Sequence, residues 1–267
     1  MEYDPIKNAL GRVFNRTPAL RVLFYHLLDI LLLRTWHVHK ALRKIRRTLP
    51  ETSRILDAGS GFGQYDYYMA RKMPHSQILA VDIKEDQIAD CSRFFAQIGL
   101  PQVRFEVADL TQYMAPDAYH LILSVDVMEH ILEDTLVLTH FHRSLQAGGT
   151  LLLSTPSERG AQDEQTGSGS FIGEHVRCGY AVADMRDKLV QAGFQDIRIR
   201  YTYGVPGRTA WHLSMKYPVL LLGKSRWFFV LLPFYYVIFF PFCLILNYLD
   251  VSCRHRSGSG LLVEARK

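Results

Sequence analysis

A glycine-rich turn with a preceding acid is the stretch of this chain best suited to bind a small molecule. The sequence ILDAGSGFGQY begins at Ile55 and places an acid at Asp57, followed by glycines at Gly59, Gly61 and Gly63. The apolar start predicts a strand, the glycines predict a turn, and the residues after them predict a helix. Glycine allows positive φ and close approach of the backbone to a ligand, because it has no Cβ. The pattern predicts a nucleoside-binding turn.

The spacing of this turn argues against a dinucleotide. A dinucleotide-binding turn has the pattern G-x-G-x-x-G, and this chain has Gln64 where the third glycine would stand. NAD and FAD are therefore not expected. A second acid, Asp82, ends the next predicted strand, where a carboxylate can accept hydrogen bonds from both ribose hydroxyls. Asp82 could instead cap the helix that follows it.

Strands and helices are predicted to alternate from residue 54 onward, which is typical of a doubly wound α/β sheet. Two of the predicted strands start at Arg54 and at Leu121, and the others cover 78–83, 103–107, 145–156 and 194–203. The predicted helices cover 18–47, 87–98 and 184–192. A third acid, Asp109, follows the strand predicted over 103–107. The carboxyl ends of parallel strands are where such sheets bind ligands, so these acids are expected to meet there.

Three polar side chains follow the fourth predicted strand, at Asp126, Glu129 and His130. Their i, i+3, i+4 spacing would place them on one face of a helix. Farther along, residues 157–170 are rich in glycine and serine and are predicted to form a lid, because structureless loops of this length usually have a function. The polar residues predicted to return beneath this lid are Glu174, His175, Arg177 and Tyr180.

Taken in this order, the motifs resemble the class I S-adenosylmethionine (SAM) dependent methyltransferases. Residues 55–65 look like motif I of that family, and SVDVMEHI resembles the motif IV region of its small-molecule branch, which includes quinone and sterol methylases. The N-P-P-Y or D-P-P-Y sequence of DNA amino-methylases does not occur in the chain. The resemblance covers residues 50–203 and the C-terminal GLLVEARK. It implies a Rossmann-like sheet of seven strands, the last of them antiparallel.

The resemblance also implies which residues contact the cofactor and which act on the acceptor. Asp82 would bind the ribose of SAM, Asp109 would face the adenine amino group, and Leu110 would lie beside the ring. The implied SAM-binding residues are Asp57, Gly59, Ser60, Gly61, Gly63, Asp82, Ile83, Asp109, Leu110 and Ser124. The implied catalytic residues are His175, His130, Asp126 and Glu129. A histidine with an ordinary pKa is a suitable base at neutral pH.

A divalent metal is an alternative role for Asp126, Glu129 and His130. A similar acid-x-x-Glu-His group is associated with a metal such as Mg²⁺ in the O-methyltransferases of ubiquinone biosynthesis, although this chain has aspartate where they have glutamate. The same three residues could instead only shape the SAM pocket. No metal is therefore predicted.

An uncharged run from Trp227 to Leu249 is long enough to cross a bilayer, although Pro233 and Pro241 interrupt it. If GLLVEARK is the seventh strand beside the sixth, both ends of residues 204–256 must lie on one side of a membrane. A helical hairpin that dips into one leaflet, with turns helped by Pro218, Gly223, Pro233 and Pro241, is therefore predicted rather than a single span. The alternatives are a soluble helical cap and a homodimer interface.

The predicted domains are an N-terminal helical segment over 1–50, a methyltransferase domain over 51–203 and 257–267, and a membrane-associating hairpin over 204–256. The N-terminal helix is amphipathic, and its basic end, Arg43, Lys44, Arg46 and Arg47, would be solvated or would meet anionic lipid. The formal net charge of the 267 residues is +5. The four cysteines have no C-x-x-C or zinc-like spacing, so neither disulfides nor a metal cluster is expected. No signal peptide is predicted at the N-terminus.

The predicted function is methyl transfer from SAM to a hydroxyl of a lipophilic small molecule, such as a quinone, a polyketide or a lipid, at the cytoplasmic face of a membrane. One alternative is N-methylation of an amine in a lipid head group, which needs no strong base. Another is a SAM-binding membrane protein without turnover. A nucleic-acid partner is not expected, because no basic groove with interleaved aromatic residues is evident in the sequence.

Overall fold

Two helices precede the sheet in the computed structural model, which describes residues 17–160, 176–224 and 228–267. Helix α1 is Pro18–Leu31 and helix α2 is Leu33–Ile45. Leu32 lies between them with an extended backbone, at φ −91° and ψ 110°. The prediction of a single helix over 18–47 is therefore wrong, because the chain turns at Leu32.

Seven strands form one sheet in the order β3-β2-β1-β4-β5-β7-β6. The strands are β1 Arg54–Ala58, β2 Gln77–Asp82, β3 Val103–Val107, β4 Tyr119–Val125, β5 Leu145–Pro156, β6 Gln195–Thr202 and β7 Gly260–Arg266. Neighbouring strands are parallel, except that β7 runs antiparallel to both β5 and β6. The predicted seven-stranded sheet with an antiparallel last strand is confirmed.

Helices cover both faces of the sheet, as parallel strands require. The helices that connect its strands are α3 Gln64–Lys72, α4 Glu85–Gln97, α5 Asp134–Ser144 and α6 Val182–Gln191. On one face, α2, α3 and α4 bury side chains such as Leu42, Met69 and Phe95. On the other face, α5 and α6 bury side chains such as Phe141 and Leu189.

The region between β6 and β7 is a helical hairpin. Its helices are α7 Val205–Trp211, a π-helical turn His212–Lys216, α8 Tyr217–Lys224 and α9 Phe228–Ser252. Tyr235 and Tyr236 of α9 donate hydrogen bonds to the carbonyls of Leu213 at 2.7 Å and Ser214 at 2.9 Å, respectively. Nearer the sheet, the thiol of Cys243 donates to the carbonyl of Ala210. These pairs show that α9 runs antiparallel to the preceding helical segments.

The prolines of the hairpin do not make its turn. Helix α9 continues for 25 residues through both Pro233 and Pro241. The expectation that these two prolines help the chain to reverse is therefore wrong. Both ends of the hairpin lie at the carboxyl edge of the sheet, because Thr202 pairs with Gly260.

A buried carboxylate joins the base of the hairpin to the N-terminal helices. Asp250 of α9 accepts a hydrogen bond from His37 Nε2 of α2 at 2.8 Å and lies 3.2 Å from His255 Nε2. It also accepts the backbone N–H groups of Tyr203 at 3.2 Å and Gly207 at 2.9 Å. A buried charge with this many donors fixes the position of every segment that supplies one.

The basic end of α2 lies away from the hairpin. Lys44 donates to Glu264 of β7 at 3.0 Å, and Arg46 donates to the carbonyl of Lys72 at 3.0 Å. Lys72 ends the helix that leads into the amino end of β2, so this cluster lies toward the amino edge of the parallel strands. The structure therefore does not support contact of this cluster with the lipid surface that the hairpin would meet.

Two carboxyl groups are buried together between β1 and α3. Asp57 and Asp66 are within hydrogen-bonding reach of each other, and Asp66 is completely buried. Apart from these two carboxyl groups themselves, no donor among the described residues reaches Asp57 Oδ2 or either carboxylate oxygen of Asp66. Burial raises the pKa of Asp57 to about 7, and burial together with the charge of Asp57 raises the pKa of Asp66. The two carboxyl groups therefore share a proton at neutral pH.

Replacing Asp66 with asparagine is expected to remove a pH dependence of stability. The folded pair keeps a proton that the unfolded chain loses above the ordinary aspartate pKa of 3.8. The free energy of unfolding of the wild type should therefore fall as the pH rises from about 4 to about 7, since the unfolded state binds fewer protons there. An asparagine stays neutral and can donate to Asp57, so Asp66→Asn should show a flatter profile in urea unfolding.

The exposed Asp86 of α4 provides a matched control, because Asp86→Asn removes a carboxylate from the same half of the domain. Parallel pH profiles for Asp66→Asn and the wild type would contradict the shared proton.

Candidate active site

The glycine turn after β1 has the conformation that its sequence predicts. Gly59, Gly61 and Gly63 all have positive φ, at 91°, 52° and 77°. A Cβ at Gly59 would overlap the side chain of Val127, whereas a Cβ at Gly61 would have no atom within 4 Å. Gly59 is therefore required for packing against the loop after β4, and Gly61 borders open space.

Asp82, the last residue of β2, is hydrogen-bonded to the same turn. Its carboxylate accepts the N–H of Gly61 at 2.9 Å and the N–H of Lys84 at 3.1 Å. Lys84 is the N-terminal cap of α4, so the alternative role of Asp82 at the start of that helix is partly observed. The carboxylate is only half-buried, and the next side chain, Ile83, is 66% exposed.

The acid after β3 organises the neighbouring loop. Asp109 Oδ1 accepts both the N–H and the hydroxyl of Thr111, each at 2.8 Å. Leu110 is buried in the core between the sheet and α5. Ser124 is completely buried, and its hydroxyl donates to the carbonyl of Ala58 at 3.0 Å. The observed hydrogen bond of Ser124 thus joins β1 and β4, and its contact with the cofactor stays a prediction.

The residues around the turn fit a SAM molecule. Ser60 Oγ is buried and has no hydrogen-bond partner within the part of the chain that the structure describes. The open space beside Gly61, the half-exposed carboxylates of Asp82 and Asp109, and the exposed Ile83 border one edge of the sheet. Asp57 lies beneath the turn rather than in this space, because it is buried against Asp66. The direct contacts predicted for Ser60, Asp82 and Asp109 are consistent with this geometry.

Asp126 follows β4 in an unusual backbone conformation. Its φ of 52° is in the left-handed region, and its N–H donates to the carbonyl of Ser154 at 2.9 Å. Its carboxylate forms an ion pair with Arg34 of α2. Aspartate tolerates positive φ better than most residues, which allows the strand to turn here. The prediction that Asp126, Glu129 and His130 share a helical face is wrong, because Asp126 precedes the 3₁₀ turn that contains the other two.

Glu129 and His130 have different surroundings. Glu129 is buried, and its carboxylate accepts the hydroxyl of Thr155 at 3.1 Å, while His130 is exposed. Burial raises the pKa of Glu129 despite this hydrogen bond. Within the described ranges, no group of three or more His, Cys, Asp or Glu side chains is arranged to hold a metal ion. The alternative of a metal at Asp126, Glu129 and His130 has no geometric support.

Arg34 and two tyrosines near it are site residues that the sequence did not indicate as functional. The backbone N–H of Arg34 donates to the hydroxyl of Tyr203 at 3.0 Å. The hydroxyl of Tyr65, which follows the glycine turn, lies 3.5 Å from Thr35 Oγ1. The sequence did contain a sign that Arg34 has a specific partner, because it is a charged residue directly after a run of leucines. The α1–α2 elbow thus contributes side chains to the region between the cofactor turn and the end of β4.

The segment that returns from the predicted lid is held against the turn after β4. The N–H groups of Val176 and Arg177 donate to the carbonyl of Glu129 at 3.1 and 3.3 Å. Asp134 pairs with Arg177 and accepts the hydroxyl of Tyr180 at 2.8 Å. These contacts place Arg177 and Tyr180 beside the turn after β4 and the start of α5.

Other predictions for this segment lie outside the described residues. They concern Glu174, His175 and most of the lid predicted over 157–170, of which the structure describes 157–160.

Comparison with known proteins finds similarity to methyltransferases over part of the chain. The methyltransferase domain family matches residues 55–149. Phosphoethanolamine N-methyltransferase 1 of Arabidopsis thaliana is 30% identical over 157 residues, which are 57% of this chain and 30% of that protein. Trans-aconitate 2-methyltransferase of Variovorax paradoxus is 28% identical over 115 residues, which are 43% of this chain and 42% of that protein. The chain thus spans less than half the length of these curated relatives.

Solved structures show the same fold at low identity. Phosphoethanolamine N-methyltransferase 2 of Haemonchus contortus in complex with SAM has a TM-score of 0.57 and 18% identity, covering 91% of this chain and 60% of that one. The [4+2]-cyclase SpnF has a TM-score of 0.57 and 19% identity, covering 85% of this chain and 80% of that one. A fold shared with a cyclase does not by itself establish the reaction. The match over residues 55–149 and the strand order together show that this chain has the fold of the class I SAM-dependent methyltransferases.

Proposed function

We propose that this chain transfers a methyl group from SAM to a lipophilic small molecule that it takes from the cytoplasmic surface of a membrane. The observation that carries the membrane part is helix α9. Within the described ranges, Val230–Ser252 is the one helix long and apolar enough to cross a membrane by length and composition, and only 11% of its apolar window is buried. Its most exposed side chains include Phe234 and Val237. Large exposed apolar surfaces on soluble proteins usually mark an interaction site.

The connection of the hairpin to the sheet favours a monotopic arrangement. The 25 residues of α9 would extend about 37 Å at a rise of about 1.5 Å per residue, against an apolar membrane core of about 30 Å. The strands on either side of the hairpin, β6 and β7, are hydrogen-bonded neighbours. If both remain in the sheet, the hairpin must return to the side from which it entered. A homodimer through the same apolar surface is the competing explanation.

The chemistry proposed for the site requires little covalent participation of the protein. Bound SAM supplies an electrophilic methyl group on its sulfonium sulfur. The protein must hold the acceptor atom in line with that methyl group and exclude water. A hydroxyl acceptor must also lose a proton, for which His175 and His130 are the proposed bases and Asp126 or Glu129 the groups that orient them.

N-methylation is a second candidate, because a specific feature favours it. Two carboxyl groups, Asp126 and Glu129, lie on the turn after β4, and Arg34 forms an ion pair with Asp126. Tyr65 and Tyr203 are near that cation. Carboxylates and aromatic rings are groups that bind ammonium ions. Phosphoethanolamine and (S)-coclaurine N-methyltransferases are among the relatives, as are O-methyltransferases.

Asp82→Ala should lower the affinity for SAM by at least tenfold, or about 1.4 kcal/mol, because it removes the proposed ribose contacts and the support of Gly61. Isothermal titration calorimetry measures this change, and Asp86→Ala provides an exposed control on the next helix. The SAM affinity of Asp82→Asn should fall less than that of Asp82→Ala, since the asparagine amide oxygen can still accept the N–H of Gly61. Unchanged affinity in Asp82→Ala would rule out the proposed position of the ribose.

The two acceptor chemistries predict different responses to loss of a histidine. If the acceptor is a hydroxyl, His175→Ala or His130→Ala should lower kcat by roughly 10²-fold while leaving SAM affinity nearly intact. If the acceptor is an amine, both variants should keep their rate, and Asp126→Asn should raise KM for the acceptor. Labelled SAM incubated with a lipid extract of the host identifies the product in each case. Full activity of both histidine variants would contradict O-methylation with a histidine base.

Membrane association predicts that high salt does not release the protein from membranes and that detergent does, because burial of α9 in acyl chains is apolar rather than ionic. Its topology can be tested with single cysteines introduced by Val205→Cys and Arg254→Cys, in a chain whose native cysteines are serine. Both should react with a membrane-impermeant maleimide from the cytoplasmic side only. Reaction from opposite sides would show a single span and contradict the hairpin.

A further inference from the structure

Helix α1 has an exposed apolar stripe that the fold of the domain does not use. Its exposed large side chains are Leu20, Leu23, Leu27, Ile30 and Leu31. They recur at spacings of three and four residues and therefore lie along one side of the helix. A stripe of this kind on a surface helix is suited to the interface of a bilayer, where the helix lies parallel to the membrane plane.

The opposite side of α1 contacts the cofactor turn directly. Arg21 and Tyr25 are 3% and 1% exposed. Arg21 Nη2 donates to the carbonyl of Phe62 at 3.1 Å, and the hydroxyl of Tyr25 donates to the same carbonyl. Phe62 stands between Gly61 and Gly63, so two side chains of α1 bind the middle of the SAM-binding turn.

The guanidinium group of Arg21 is held by several partners at once. It donates to Asp90 at 2.5 Å, to Cys91 Sγ at 3.0 Å and to the hydroxyl of Tyr25 at 2.9 Å. Its Cζ also lies 4.4 Å from the centre of the Phe94 ring. A buried charge is stable only with such compensation, so these contacts favour this position of α1 on the turn and on α4 over positions that would break them.

The end of α1 reaches the base of the hairpin. A Cβ at Gly207 of α7 would overlap the side chain of Leu33, the first residue of α2, and Arg34 donates to Tyr203 just before α7. The contacts of Arg21 with Phe62 place the other part of α1 over the turn after β1. Helix α1 therefore crosses the carboxyl edge of the sheet, from which the hairpin also rises. The exposed apolar surfaces of α1 and α9 belong to the same end of the molecule.

From these contacts we infer that α1 is a second lipid-facing element, and that it links the bilayer to the SAM-binding turn through Arg21 and Tyr25. The inference rests on the proposed membrane function. A bilayer that binds the outer stripe favours the position in which the inner face supports Phe62. By thermodynamic linkage, bilayer contact then strengthens SAM binding, and SAM binding strengthens contact of α1 with the bilayer.

The coupling can be measured as SAM affinity in lipid vesicles that carry the full-length protein, with the hairpin intact as an anchor. The double variant Leu23→Ser with Leu27→Ser should weaken SAM binding by about fivefold, the lower end of typical coupling. Val190→Ser removes an exposed apolar side chain from α6 and should leave the affinity unchanged. Equal affinity in the wild type and the double variant would overturn the coupling.

Arg21→Lys tests whether Arg21 transmits the effect of the apolar stripe to the SAM-binding turn. Lysine keeps the charge but cannot make the several directed contacts of a guanidinium, so this variant should itself bind SAM more weakly. If Arg21 transmits the effect of the stripe, adding the two serines to Arg21→Lys should cause little further loss. Additive losses would overturn Arg21 as the link.

Lipid contact has a separate readout in the fluorescence of bimane at Leu23→Cys, in a chain whose other exposed cysteines are serine. Vesicles of brominated phosphatidylcholine should quench this label, and SAM should increase the quenching. A label at Arg93→Cys on α4 should not respond. Absence of quenching at Leu23→Cys would overturn the lipid-facing role and would indicate that another partner, such as a second copy of the chain, covers the stripe. Failure of the wild type to bind SAM in any of these preparations would instead overturn the proposed function itself.

Discussion

The insertion of β7 between β5 and β6 is the constraint on which the architecture of this protein depends. Because β7 is antiparallel to both neighbours, it must begin at the carboxyl edge, where β6 ends. Any segment between β6 and β7 must then leave and return at that edge. The hairpin of α7, α8 and α9 therefore rises beside the glycine turn and Asp126 rather than at a remote surface. The antiparallel strand thus brings an apolar appendage to the candidate active site.

The N-terminal helices complete the same edge. Asp250 binds His37 of α2 and the backbone at the start of α7, so one buried carboxylate connects the hairpin to the N-terminal segment. Arg21 performs the corresponding role at the other end of α1, on the cofactor turn. Both anchors are charged groups in nearly dry surroundings, where the loss of a partner costs about 3–5 kcal/mol. The N-terminal segment is therefore part of the site and not an appendage to it.

Sequence patterns were sufficient for the sheet, because parallel buried strands are short apolar runs and the acids Asp57, Asp82 and Asp109 mark where they end. Sequence patterns were insufficient where tertiary contacts determine the backbone conformation. The spacing of Asp126, Glu129 and His130 fits a helix, yet the N–H of Asp126 bonds to Ser154 of the adjacent strand and φ becomes positive. Similarly, the leucine run through Leu32 gives no local reason for a break. Arg34 approaches Asp126 only because that break redirects α2.

The strand order separates the two substrates of the proposed reaction. Asp82 ends β2 and Asp109 follows β3, on one half of the sheet, whereas the hairpin leaves from β6 and β7 on the other half. The glycine turn after β1 and Asp126 after β4 lie between them, at the point where the strand order reverses. A water-soluble cofactor and a lipophilic acceptor can thus approach from different directions and meet at the centre. In the proposed reaction, Arg34 and Asp126 would stand on the acceptor side of that meeting point, where their ion pair would have to be compatible with the group that receives the methyl.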